Sequence, residues 1–341
     1  MSLYPEEYLD LAANFLASHS VDFTGDKLLL TGGSGFVGSW IIDLLTYYAK
    51  EKSQSIEILG ISRNLKATQK KLGSKNFESI NWIEGGVEKI SETKFQFSHA
   101  IHAATPTTNE TGYRDTINVT HSSVGGMKNI LERAQLNGNH PRILHTSSGS
   151  VYGNSNEGKI RIPLKQNLDG IKIDNYTRHR EYSIAKRNTE IELNEATKKG
   201  FVSGLNARLF AFYGPGLPTT SHYAIGNLVD QAIHSNKLIL NGSGMATRSY
   251  MPGNVMAAVI LYVMKTNIEG ATHIGSSEGR TLRHWAELVA KVAEKEFDIL
   301  GTFDDSNDKY VPENDVRIPS INFTQNPREV LTDWIAHLAP N

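Results

Sequence analysis

The chain has 341 residues, a formal net charge of −1, 39% hydrophobic and 21% charged residues, the proportions of a globular protein able to bury a large core. Near-neutral charge gives no electrostatic reason to expect nucleic acid or an anionic membrane as partner, and no run of about 18 apolar residues occurs. With no cysteine in the chain, disulfides, thiolate metal sites and cysteine nucleophiles are excluded, and no metal site is expected.

Pro5, Glu6, Glu7 and Asp10 interrupt any basic-then-apolar leader pattern, so a cytoplasmic location is the expectation. Tyr8, Leu11, Ala12, Phe15 and Leu16 fall on one face of a helix over residues 4–18, whose role is to pack on the body of the protein. The unalternated run Leu28, Leu29, Leu30 reads as a central parallel strand covered on both faces. Gly32, Gly35 and Gly38 follow, and helical spacing resumes at Trp40. Strand, glycine turn and helix start together predict a dinucleotide site. Gly32 makes the turn, Gly35 lets a pyrophosphate approach the backbone, and Gly38 lets the helix pack close. Ser34, Phe36 and Val37 complete that cofactor loop.

Residues 56–63 form the second predicted strand, ending where such a fold meets the adenosine ribose. No acid stands there. Ser62 and Arg63 suit a 2′-phosphate, which favours NADP over NAD. Further strands are predicted at residues 80–86 and 98–105, the latter ending in the small residues Ala103 and Ala104, against which a cofactor can lie. His102, between apolar neighbours, reads as a packed structural histidine. A helix is expected around residues 124–132, then a strand from Arg142 that opens into the hydroxyl-rich loop Ser147, Ser148, Gly149, Ser150. Tyr182 and Lys186 share one helix face at i and i+4. A tyrosine with pKa about 10 is a poor acid–base group at neutral pH, and an adjacent ammonium stabilises its phenolate.

These residues, together with Arg208 to Gly216, Gly242 to Gly244, Arg248-Ser249-Tyr250 and His273 to Gly275, resemble the extended short-chain dehydrogenase/reductases, a group of nucleotide-sugar epimerases, dehydratases and reductases. The resemblance implies an α/β fold: a Rossmann-type doubly wound parallel sheet with a smaller C-terminal α/β substrate lobe. A helical extension would occupy 1–25, the dinucleotide-binding domain 26–216 and the substrate lobe mainly 217–341, with some elements exchanged. It implies that Ser148 polarises a sugar oxygen, Tyr182 transfers a proton, and Lys186 holds the nicotinamide ribose and tunes Tyr182. Ser150 and Arg248 would contact the nucleoside-diphosphate sugar, Arg248 at the pyrophosphate, and His222 is a candidate additional acid–base group. The family suggests a homodimer built through the Tyr182 helix and the helix before Ser148.

Departures from the family pattern narrow the reaction. Gly149 and Ser150 stand where the 4,6-dehydratases carry an Asp-Glu pair, and Ser150 stands where the decarboxylating branch needs a glutamate. Gly86 and Asn254 each replace a common aspartate, and residues 157–180, with basic residues Lys159, Arg161, Lys165, Lys172, Arg178 and Arg180, are longer than usual. The preferred reading from sequence is an NADP-dependent 4-ketoreductase of a nucleotide-linked deoxysugar. The alternative is a nucleotide-sugar 4-epimerase with tightly bound NAD. A third, a non-catalytic cofactor-sensing regulator, has no use for an intact Ser148, Tyr182 and Lys186.

Overall fold

The leucines of the first strand are all buried, and they part to opposite faces: Leu28 and Leu30 join one apolar cluster, Leu29 the other. Ile101 and Leu144 in neighbouring strands follow Leu28, while Ala100 and Ile143 follow Leu29. That is the two-residue period of strands covered on both sides. The computed structural model describes residues 4–106, 116–153, 161–164, 168, 180–219, 223–302, 305–321 and 325–339.

Helix α1 (Glu6–Ser18) precedes β1 (Asp26–Thr31), α2 (Phe36–Glu51), β2 (Ile56–Ser62), α3 (Leu65–Glu78), β3 (Asn81–Glu84), α4 (Lys89–Glu92) and β4 (His99–His102). The helix expected around 124–132 is composite. A short α5 (Thr116–Thr120) runs through a π-helical turn, His121–Gly125, into α6 (Gly126–Asn137). Then come β5 (Arg142–Ser148), α7 (Arg180–Lys198), β6 (Ser203–Leu209) and β7 (Ala211–Tyr213). The remainder comprises α8 (Ala224–His234), β8 (Lys237–Leu240), β9 (Thr247–Arg248), β10 (Tyr250–Pro252), α9 (Gly253–Met264) and β11 (Gly270–Ile274). It closes with β12 (Arg280–Thr281), α10 (Leu282–Val292), β13 (Glu296–Ile299), β14 (Lys309–Tyr310) and α11 (Pro327–Leu338).

The main sheet has the order β11-β6-β5-β4-β1-β2-β3, and every pairing in it is parallel. From β1 the chain builds outward to β2 and β3, then returns to lay β4, β5 and β6 on the other side. The strand order therefore reverses between β1 and β4, and the helices that follow diverge there. In doubly wound sheets the crevice at the carboxyl ends of such a pair is where ligands bind. The glycine turn after β1 and the Ala103-Ala104 step after β4 both lie at it. This is the Rossmann-type α/β architecture expected from the sequence.

Helix α9 is apolar all round and almost entirely buried, as such a helix must be. One side of it is closed by α1, whose Tyr8, Ala12 and Leu16 are buried in the same cluster. Asn254 at the start of α9 donates its Nδ2 to the Tyr8 carbonyl at 3.1 Å. The Tyr4 ring stacks on the Trp40 indole at 3.4 Å between centroids, and Trp40 Nε1 donates to Pro215 O at 3.2 Å. Trp40, 1% exposed, thus pins the N-terminal helix, the cofactor helix α2 and the loop after β7 together. Trp40→Ala is expected to lower the unfolding free energy by about 3–5 kcal/mol, as for other buried aromatic truncations. Urea midpoints would measure it, and a loss below about 1 kcal/mol would mean that this seam is not a principal support.

Candidate dinucleotide and catalytic site

At the crevice, backbone meets backbone. A Cβ on Gly32, whose φ is +73°, would lie 2.6 Å from the carbonyl carbon and oxygen of Ala103, and one on Gly38 would lie 2.3 Å from Gly32 O. Neither position tolerates a side chain without moving main chain. Thr31 locks the same junction from below. Its Oγ1 accepts from the N–H groups of Ala103 and Ala104, each at 3.2 Å, and donates to His102 Nδ1 at 2.8 Å. His102 Nε2 donates to Ser123 O at 2.8 Å. Burial holds this histidine neutral, its pKa brought down to about 4, and it is a structural residue as the sequence indicated. Gly35 is the N-cap of α2 and supplies no side-chain cap. The N–H groups of the first turn and the positive end of the helix dipole lie beside half-buried Ser34, Phe36 and Val37, a place whose electrostatics suit an anion.

Beyond the end of β2, Arg63 is exposed. Ser62, paired with it in the sequence reading as a 2′-phosphate partner, turns inward: its Oγ lies 2.6 Å from Thr68 Oγ1 and braces the start of α3. Trp82, unremarked in the sequence, lies over Gly60 and against Gly33, with its Nε1 donating to Phe77 O at 2.9 Å. At the position of the absent adenine-contacting aspartate, the Gly86 N–H donates instead to Glu88 Oε1 at 2.9 Å.

The catalytic candidates stand at the ends of β5 and the start of α7. Ser148 is the last residue of β5, and its Oγ accepts from the Ser150 N–H at 3.1 Å, closing a 3-10 turn over Gly149–Tyr152. The Ser150 hydroxyl oxygen is buried with no partner among the described residues, as is that of Thr105 just past β4. Orphaned polar atoms of this kind are costly unless a ligand satisfies them. Lys186 is 2% exposed. Its Nζ donates to Thr146 O at 2.5 Å and sits 5.7 Å from the centre of the Tyr182 ring. Burial brings the ammonium down to about 7, opposed in part by Glu190 one turn on.

Glu190 also anchors the serine strand. Its carboxylate accepts from Ser147 Oγ at 2.5 Å and from Arg208 Nε and Nη2 at 2.9 and 2.8 Å. Arg208 Nη1 donates to the Tyr152 hydroxyl at 2.7 Å; that hydroxyl donates to His273 Nε2, also at 2.7 Å, and His273 Nδ1 donates to Glu313 O at 3.0 Å. Burial alone lowers Arg208, but the Glu190 carboxylate outweighs it and keeps the guanidinium charged. Every charge in this buried chain is satisfied, the condition under which such a pair is tolerable.

On the far wall, Arg248 lies in β9, with Nη2 bound to Asp308 Oδ2 at 2.8 Å and Nη1 to the carbonyls of Thr247 and Asp308. The neighbouring β14 brings Tyr310 to within 3.4 Å of Ser148 Oγ, a contact that no periodicity or motif signals. His222, Lys159, Lys165, Lys172 and Arg178, and with them most of the 157–180 segment, lie outside the described residues. A surface depression of about 480 Å³ lies at the opposite end of β1 and β2 and contains none of these groups. Among the described residues no cluster of three or more His, Asp or Glu could hold a metal, and no helix is long and apolar enough to cross a membrane.

The model of the NAD dependent epimerase/dehydratase family matches residues 28–275. The chain belongs to that family. Its members are NAD-dependent enzymes of the extended short-chain dehydrogenase/reductase type. UDP-glucuronic acid decarboxylase 1 of Danio rerio is 25% identical over 264 residues, covering 77% of this chain and 60% of that protein. The chain therefore spans about three fifths of the length of that curated relative. Among solved structures, a UDP-N-acetylglucosamine 4-epimerase from Methanobrevibacter ruminantium, in complex with UDP-N-acetylmuramic acid, superposes with a TM-score of 0.77 at 15% identity over 92% of this chain and 98% of that one. A Bacillus cereus UDP-glucuronic acid 4-epimerase, in complex with UDP-glucuronic acid and NAD, gives 0.74 at 18% identity over 92% and 99%.

The depressed Lys186 predicts a pH signature for this family member. Between about pH 7 and 10.5 the unfolded chain holds a proton on this lysine that the folded chain has lost, so stability rises with pH across that window. The slope is at most about 1.4 kcal/mol per pH unit. In Lys186→Met that component is expected to vanish, as read from urea midpoints of both proteins across the range. Parallel curves would assign the lysine an ordinary pKa.

Proposed function

We propose that this protein moves hydride at a ring carbon of a nucleoside-diphosphate-linked hexose, as a 4-epimerase using NAD, with Tyr182 as acid and base. The observation that carries the reading is the composition of the serine loop. Around Ser148 it presents hydroxyls and backbone, with Gly149 and Ser150 where acids would be needed, and the nearby Glu190 is fully committed to Arg208 and Ser147. Elimination of water and loss of carbon dioxide both call for a carboxylic acid or carboxylate at the sugar. Removing and returning hydride at one carbon calls only for a proton carrier and an oxygen-polarising donor. The decarboxylase relatives are thus kin in fold and family, and this chain lacks the glutamate on which that reaction was expected to depend.

A bound nicotinamide dinucleotide supplies the hydride acceptor and donor, and the glycine cradle, the uncapped α2 N-terminus and the Thr105 orphan fit it. Ser148 hydrogen-bonds the sugar oxygen, Tyr182 takes and returns its proton, and Lys186 biases Tyr182 toward the phenolate when protonated. Ser150 supplies the second hydroxyl to the sugar, and Arg248 meets the pyrophosphate, with residues 217–341 forming most of the substrate lobe. Exposed Ile117 on α5 and Ile191 on α7, 82% and 48% accessible, support a second copy of the chain covering that face. A cytoplasmic setting, where nucleotide sugars are made, goes with this reading.

One observation favours a second reading. Arg63 is exposed just past the end of β2, a strand that ends without an acid of its own; a guanidinium there suits a 2′-phosphate, and an NADPH-consuming 4-ketoreductase would use it. Extraction and titration separate the two. For the epimerase, purified protein carries NAD through dialysis and interconverts C4-epimeric UDP-hexoses with no net change at 340 nm. A protein that comes out empty, prefers NADPH over NADH and loses that preference in Arg63→Ala would replace the epimerase with the reductase.

A further inference from the structure

The serine loop carries no acid at 149 or 150, and a phenol from the C-terminal part of the chain lies against it. Strand β14 pairs in parallel with β9, placing Tyr310 opposite Arg248, and the short segment crosses from the substrate lobe to the end of β5. There the Tyr310 hydroxyl lies 3.4 Å from Ser148 Oγ and donates to Leu209 O at 3.3 Å. Its ring packs against Phe210, 4.8 Å between centroids. A Cβ built on Gly149 would lie 2.7 Å from this hydroxyl and 2.8 Å from the Phe210 ring. Phenol and acid are therefore alternatives: a side chain at 149 and Tyr310 cannot occupy this place together. The segment is held firmly. Asp305 accepts from the Met245 and Ala246 N–H groups at 3.0 and 3.1 Å, Asp308 binds Arg248 at 2.8 Å, and Ile162 N donates to Val311 O at 2.8 Å.

We propose that Tyr310 is a positioning residue for Ser148: its phenol takes the place vacated at Gly149 and sets the direction in which the Ser148 hydroxyl points. A phenol has one proton and two acceptor sites, and a serine hydroxyl likewise. With its proton on Leu209 O, Tyr310 accepts from Ser148, whose lone pairs then face the Ser150 N–H. When a sugar carbonyl arrives, the proton of Tyr310 turns from Leu209 O to Ser148 Oγ, and the Ser148 proton turns to the carbonyl. Two rotors reverse and no bond other than hydrogen bonds is made or broken. Burial pushes Tyr310 up to about 12, so it stays a neutral donor at working pH, unlike a carboxylate in the same place. Hydrogen bonds in such a chain reinforce one another, which strengthens Ser148 as a donor where charge develops on the carbonyl oxygen.

The inference rests on the hydride-transfer reading above, and the experiment keeps the two apart. Wild type, Tyr310→Phe, Ser148→Ala and the double variant are assayed with a panel of nucleoside-diphosphate hexoses, with NAD and UDP affinities measured separately by calorimetry. Tyr310→Phe keeps the ring against Phe210, so thermal stability and both affinities are expected to hold. Its kcat is expected to fall about three- to tenfold, the worth of one uncharged hydrogen bond. In the Ser148→Ala background the same change is expected to cost nothing further, because Tyr310 acts through Ser148. An unchanged kcat in Tyr310→Phe, or the same loss in both backgrounds, overturns the inference and leaves the function standing. Absence of wild-type turnover on the whole panel brings down the function, and the inference with it.

Discussion

The constraint on which the rest depends is the approach of bare backbone at the point where strand order reverses. The turn after β1 passes so close to the end of β4 that Gly32 touches the Ala103 carbonyl, and α2 starts so close to that turn that Gly38 can carry no Cβ. The helix begins there with no side-chain cap, so no side chain of its own covers the positive end of its dipole. Geometry that would be a liability in a core helix end is placed here at the mouth of a parallel sheet, where an anion is the natural complement. Thr31 and His102 brace it from beneath, with every polar atom of the brace paired.

The second half of the sheet carries the catalytic candidates, and their support is electrostatic. Glu190 and Arg208 are buried where desolvation is severe, yet Ser147 and Tyr152, the latter bound to His273, complete the hydrogen bonding of the pair. The network ties α7, which carries Tyr182 and Lys186, to β5, which carries Ser148, and to β6 and β11. Relative placement of the three catalytic candidates therefore rides on one ion pair behind them. Breaking such a pair from one side leaves an uncompensated buried charge, at about 3–5 kcal/mol. The positions of hydroxyls in front are thereby coupled to the integrity of a carboxylate bound to Ser147 and Arg208 behind them.

Much of this was legible in the sequence because it is local. Three leucines in a row, glycines at fixed offsets, and a tyrosine four residues before a lysine are each read within one element, and a parallel sheet follows from alternating strands and helices. What escaped reading is non-local. Tyr310 belongs to a two-residue strand whose only address is its pairing with Arg248, and Trp82 covers Gly33 and Gly60 from the sheet edge. Ser62 stood at the right offset for a cofactor contact, but a threonine six residues on draws its hydroxyl inward. Offset along a strand fixes which residue reaches a crevice; it says nothing about competing partners supplied by the next helix.

The same distinction bears on how one family scaffold supports several reactions. The strand ends and the Tyr182–Lys186 helix are fixed by core packing, so they cannot be retuned without disturbing the sheet. Groups beside Ser148 from the serine loop and from the C-terminal segment lie outside those elements. Position 149 and Tyr310 compete for one volume, and Phe210 and Gly275 close the remaining space, for a Cβ on Gly275 would meet the Phe210 side chain at 2.8 Å. An acid at 149 thus requires retreat of the phenol, and the phenol requires glycine at 149. Two residues 161 positions apart in the chain form a single alternative, carboxylate or phenol. That steric exclusion makes the group beside Ser148 a property of the pair and not of the serine loop alone.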